Sequence, residues 1–229
     1  IQINERYMKL TKKKLIQAVR PGLEKLGYLY IKDSVSGAQG LFGKKLPNGM
    51  YLTLGGTIHR FYDDAFTGDF YLSKTTENAA CWGDIPKDCY ERPGYFLSKE
   101  ELASMNEKSP DIWWSGLNEE SVSSFIEVVK KTEPRFLAQE GLMERIEQSS
   151  DVNMLYTRSF KVKELILKGE KLEGSFEYLP QRNVDDIPMD WFKAAEIVIR
   201  QRGELLHPRI VKGLAADAYR QHIIDKNSD

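Results

Sequence analysis

The chain has 229 residues, 41% hydrophobic and 29% charged, and its 33 Lys/Arg against 34 Asp/Glu leave a formal net charge of -1. That composition excludes disordered, collagen-like and disulfide-stapled chains, and a chain this long buries roughly 70% of its unfolded surface without help from metal or crosslinks. No apolar run approaches the ~20 residues that cross a bilayer, and the opening IQINERYMKLTKKK lacks the apolar core of a signal peptide, so the expected location is the cytoplasm; the chain opens on Ile1 rather than Met, which leaves a removed leader open.

Charge is unevenly spread, at +7 over residues 1–50, -4 over 51–110 and -4 over 111–229. The basic excess sits on a predicted helix that starts after Thr11. Leu15, Ile16, Val19, Leu23 and Leu26 recur at helical spacing, which turns Lys12, Lys13, Lys14, Arg20 and Lys25 outward. Pro21 predicts a kink or a fresh start within it, and Gly27 a stop. From Tyr28 to about Lys74 the period becomes strand-like. YLYIKDSV, QGLFGKKL, MYLTLGGTI and GDFYLSKT read as a meander of about four antiparallel strands, with the helix covering one face. Pro47-Asn48-Gly49 is the strongest hairpin signal, and Ser36-Gly37 and Thr67-Gly68 are weaker turns of the same kind.

Residues 75–116 form an irregular middle, broken by Pro86, Pro93 and Pro110, in which Ser98 and Glu101 make a capping box for a short helix. The connection from Glu77 to Gly94 is too long for a simple link. After Gly116 the pattern is helical. Val122, Phe125, Ile126 and Val129 share one segment and Phe136, Leu137, Leu142 and Ile146 the next, with a break at Glu133-Pro134. FKVKELILKGEKLEGSFEYL reads equally as a helix or a strand pair. Two helices close the chain, from Pro188 to about Arg202 and from Pro208 to about Asp225. The expected fold is α+β: residues 1–116 hold the helix, the antiparallel sheet and the long aromatic loop, and 117–229 hold a helical region packed on them.

Three groups of residues carry chemistry. The run from His59 to Asp64 contains a base, a cation and two carboxylates, and His59, Asp63 and Asp64 are the candidates for a hydrolytic enzyme; the bland reading is a solvated turn. No G-x-S-x-G, G-x-G-x-x-G, phosphate-binding Lys loop or H-E-x-x-H motif supports catalysis. Lys12 to Lys14 with Arg20 and Lys25 could track nucleic-acid phosphates, but an acidic chain with a pI of about 6.4 argues for a solvated helix face. The third group is the middle loop, with Trp82, Asp84, Asp88, Glu91, Arg92, Tyr95, Trp113 and Trp114 as candidate partner-binding residues. Aromatic and Arg side chains anchor interfaces and carboxylates recruit basic partners, whereas the alternative is a plug between sheet and helices. Cys81 and Cys89 have seven residues between them, with no second pair and only scattered histidines, so neither a zinc site nor a cofactor is expected, and a bridge across the short loop stays open.

The run LIQAVRPGLEKLGYLYIKD, a helix carrying Val-x-Pro-x-Leu-x-x-x-Gly-Tyr and leading into strands that reach YLTLGGTI, resembles a group of bacterial α+β domains encoded beside polymorphic toxins. The resemblance covers roughly residues 10–100. It implies a non-catalytic immunity protein that neutralises a cognate toxin by stoichiometric binding, commonly covering a basic active site with acidic side chains. It transfers no functional residue, and the helical C-terminal half lies outside it. The enzyme using His59, Asp63 and Asp64 is the alternative, and the nucleic-acid binder is third.

Overall fold

The computed structural model describes residues 9–62, 64–76, 86 and 89–228. Thr11 caps α1 (Lys12–Lys25), its hydroxyl accepting the Lys14 N–H at 3.3 Å. The helix buries Leu15, Val19 and Leu23. It ends where Gly27 takes φ +85°, with the Tyr28 N–H on the Leu23 carbonyl and the Gly27 N–H on the Glu24 carbonyl, a pairing that consumes two otherwise orphaned carbonyls. Of the kink or fresh start expected at Pro21, the fresh start does not occur, because one helix runs through it. Proline inside a helix costs about 3 kcal/mol, and burial of Leu23 beyond it returns about 1.5–3 kcal/mol.

Among the described residues six antiparallel strands follow: β1 (Leu29–Ile31), β2 (Leu41–Lys45), β3 (Tyr51–Ile58), β4 (Ala65–Ser73), β5 (Tyr90–Glu91) and β6 (Trp114–Ser115). Their order is β1-β2-β3-β4-β5, and β6 also pairs with β4, opposite Ala65 and Phe66. Pro47-Asn48-Gly49 makes the β2–β3 turn as expected: the Gly49 N–H reaches the Leu46 carbonyl at 2.9 Å, and Gly49 takes φ +83°. Thr67-Gly68, expected as a turn, lies inside β4 instead. A Cβ at Gly68 would stand 3.2 Å from the Phe125 ring, so this glycine makes room for packing.

Strand alternation divides the sheet into two faces. Phe42, Leu52, Leu54, Phe66, Phe70 and Leu72 are buried in one cluster with Leu15, Val19 and Leu23 of α1 and with Phe125, Val129 and Phe136. The last three belong to α3 (Glu119–Leu137), which is capped by Asn118 and runs unbroken through Pro134, against the expected break, with Phe136 buried beyond the proline. Before it, α2 (Lys99–Ser104) starts at the reciprocal Ser98/Glu101 capping box. The short α4 (Leu142–Gln148) leads to α5 (Ser150–Leu167), which takes up the first part of the ambiguous stretch as helix. Then α6 (Met189–Gln201) and α7 (Pro208–Lys226) follow. α5, α6 and α7 pack on one another, and α7 lies on the second sheet face, where Ile224 is buried with Ile31, Leu41 and Tyr51. Among the described residues no helix is long and apolar enough to cross a membrane.

Candidate partner-binding site

The β3–β4 connection is built around His59. Its Nδ1 accepts the backbone N–H groups of Phe61 (3.0 Å) and Tyr62 (3.1 Å), while the His59 backbone N–H donates to the Ala65 carbonyl at 2.8 Å. The ring therefore serves as a turn cap, with the proton on Nε2. Asp64 accepts the Ser115 hydroxyl at 2.8 Å and so ties the turn to β6. Asp63 lies outside the described residues. His59 and Asp64 thus do not converge on one reacting point, and no group of three His, Cys, Asp or Glu among the described residues is placed to hold a metal ion. The capped turn leaves Phe61 80% and Tyr62 65% exposed.

The second sequence cluster meets the first in space. Trp113 sets its ring edge-on to His59, with centroids 4.5 Å apart, and Arg92 stacks over Trp113 at 4.8 Å. Arg92 starts the short 3-10 turn Pro93–Phe96 just after β5, so strand pairing of Glu91 with Phe70 delivers it to this spot. Its guanidinium pairs with Asp111 and reaches Asp69 of β4 at 3.4 Å. One cation between two carboxylates leaves the cluster with a net negative charge.

Asp69 also borders a pocket of about 190 Å³, walled by Ser36, Gly37, Ala38, Gly55 and Thr57. The far wall belongs to the β1–β2 connection, stitched to β3 by the Gln39 N–H on the Gly56 carbonyl and the Gly56 N–H on the Gly40 carbonyl. Burial raises the Asp69 carboxyl above its usual range, more than Arg92 and Thr57 lower it. Among the described residues both polar contacts of that carboxylate are long, since Thr57 Oγ1 donates at 3.4 Å and Arg92 Nε stands at the same distance. Its lone pairs keep capacity for a further donor.

The structure sorts the remaining sequence candidates. Trp114 belongs to the core rather than to a binding surface: it is 6% exposed, packs between Phe66 and Phe125, and donates its indole N–H to Ser124 at 3.1 Å. Tyr95 is exposed, but Glu91 turns back to accept the Arg92 N–H at 2.8 Å. Trp82, Asp84, Asp88 and Cys81 lie outside the described residues, and Cys89 is fully buried in the core. The basic first helix offers no single stripe, because Lys12 turns to the Asp33 carbonyl and Arg20 pairs with Glu24 at 2.6 Å while stacking on Tyr30. Sequence reasoning missed Phe61 and Tyr62 as exposed anchors and Asp69 as a pocket carboxylate. The available signal was Gly55-Gly56 inside a strand, a place where something approaches the backbone closely. No protein-family model, curated protein or solved structure matches the chain.

Proposed function

We propose that this chain is a non-catalytic binding protein of the immunity class, which neutralises a cognate toxin by gripping a basic surface with the Asp69–Arg92–Asp111 cluster and its surrounding rings. The carrying observation is the convergence of exposed Phe61 and Tyr62, half-buried Trp113 and a net-negative ion cluster beside a pocket with room for one side chain. Large rings on a rigid turn lose little entropy on docking, and a desolvated carboxylate prefers a partner that brings a positive charge. In this reading Phe61, Tyr62 and Trp113 supply the apolar contact and Asp69 takes a Lys or Arg side chain of the toxin. The resemblance over roughly residues 10–100 is what makes a toxin the expected kind of partner.

The experiment is co-expression with the protein encoded by the adjacent upstream gene. Wild-type chain restores growth and forms a one-to-one complex. Replacing Trp113 by Ala weakens that complex at least tenfold, or about 1.4 kcal/mol. A neighbouring product without toxicity, or full protection by a folded Phe61→Ser/Trp113→Ala variant, overturns the proposal.

A further inference from the structure

A second concavity lies away from the Asp69 cluster, between α5, the end of α7 and the β2–β3 turn. It encloses about 790 Å³, inside the roughly 300–1,000 Å³ typical of small-molecule sites. On its floor the Tyr51 hydroxyl donates to Asp225 Oδ1 at 2.7 Å. Lys45 stands 3.0 Å from the same oxygen and Lys163 3.4 Å from Oδ2, each ammonium 5.9 Å from the Tyr51 ring centroid. Two cations therefore share one carboxylate. At the rim Lys168 pairs with Glu164 at 3.5 Å, and Lys226 adds a further positive charge. Four lysines against two carboxylates leave the groove at +2 in a chain whose total is -1. His222 adds nothing at neutral pH, since burial and Lys226 push its pKa down.

The wall is apolar and open to solvent. Tyr156, Phe160 and Leu167 follow one another along α5 at helical spacing and are 36%, 50% and 70% exposed. An isolated exposed Leu needs no explanation, but a stripe of three beside lysines held on a tyrosine floor does. At 1.5 Å per residue the stripe spans about 16 Å, the reach of an extended chain of about a dozen carbons.

We propose that this groove binds an amphipathic monoanion: a carboxylate seated between Lys45 and Lys163 on an apolar body that lies along Tyr156, Phe160 and Leu167. Two terms act together. The shared Asp225 leaves unspent positive charge where the head sits, and the body takes three exposed side chains out of water. A surplus of two positive charges suits a single acidic head better than a nucleoside polyphosphate, which would bring about four negative charges.

The test is calorimetric titration of the 229-residue chain with decanoate below its aggregation limit, with decan-1-ol and acetate as separate arms. The expected result is one decanoate per chain, decan-1-ol at least tenfold weaker, and no detectable acetate binding. Leu167→Glu, at an exposed position that leaves the core untouched, weakens decanoate at least tenfold. The Lys45→Gln/Lys163→Gln double variant binds decanoate no better than decan-1-ol. Asp69→Asn binds decanoate like wild type, which separates this site from the one at Arg92. No saturable decanoate binding, equal affinity for decan-1-ol, or an unchanged Leu167→Glu variant overturns the proposal.

Discussion

Asp33 and Asp69 are two carboxylates near the same sheet, set in opposite surroundings. Asp33 is enclosed where α7 crosses the sheet, and its oxygens are fully used: Oδ1 accepts the N–H groups of Val35 (2.9 Å) and Ser36 (3.0 Å) and pairs with Arg220, while Oδ2 takes the Ser36 hydroxyl. Asp69, at the end left to the pocket, has two contacts at 3.4 Å. Burial pushes both carboxyls upward, but only at Asp33 do the guanidinium and the local donors outweigh it, so its pKa ends low while that of Asp69 ends high. The first region is finished as structure. The second holds a desolvated charge that the fold does not satisfy, and strain of that kind concentrates at sites with work to do.

The sharpest way to break this contrast is Arg220→Met. The Asp33 side chain is 0% exposed and that of Arg220 2%, so removing the cation strands a buried carboxylate and costs about 3–5 kcal/mol in urea unfolding. In an Asp33→Asn background the same change costs less, because the charge it would strand is already gone. Equal costs in both backgrounds would mean that the pair does not organise the α7 crossing. A smaller loss is expected on the apolar face from Gly68→Ala, whose methyl would meet Phe125 at 3.2 Å and Leu54 at 3.3 Å; overpacking of this kind costs about 1–3 kcal/mol.

Those two sites also show what the amino-acid order made legible. Pro47-Asn48-Gly49 was readable because a hairpin turn is decided by its own few residues. Thr67-Gly68 was not: whether a glycine is there for a turn or for a neighbour depends on Phe125, more than fifty residues away, and the same is true of Pro21 and Pro134, where packing on either side overrides a local breaker. The candidate site was half readable for a related reason. Residue types announced Arg92 and the tryptophans, yet only strand pairing shows that Trp114 goes inward beside Phe66 while its neighbour Trp113 meets His59 and Arg92. Two clusters that look separate in sequence, the turn around His59 and the pair Arg92 and Trp113, become one surface because β4 pairs with both β5 and β6. That coincidence has no local signature.

Asp69→Asn reverses the usual sign of a buried-carboxylate substitution. At pH 7 the variant keeps or slightly gains stability, by less than about 1 kcal/mol, because it removes a charge that burial penalises and keeps the shape. Its complex with the proposed basic partner should weaken nonetheless. Marked destabilisation in urea would place Asp69 with Asp33, among the groups that hold the fold together.

The smallest effect is a difference in pH dependence, and it tests the same contrast without a partner. Asp33 is lowered below its unfolded value of about 3.9, so its contribution is complete above that value and is lost as the pH falls through its folded pKa. Asp69 is raised, so its contribution is complete below about 3.9 and is lost as the pH rises through its folded pKa. Glu196 and Asp225 are also lowered, against the cost of their burial, by hydrogen bonds and cations, so total stability falls in acid and hides the Asp69 term. Subtracting the Asp69→Asn curve from the wild-type curve isolates it, since Asn does not titrate and the other carboxylates cancel. Between pH 7 and pH 4 the wild type should gain stability relative to the variant. A flat difference would show Asp69 to be as well satisfied as any surface carboxylate, and a difference of the opposite sign would show Arg92 to be a full partner; either result removes the reason for expecting a ligand's positive charge at that pocket.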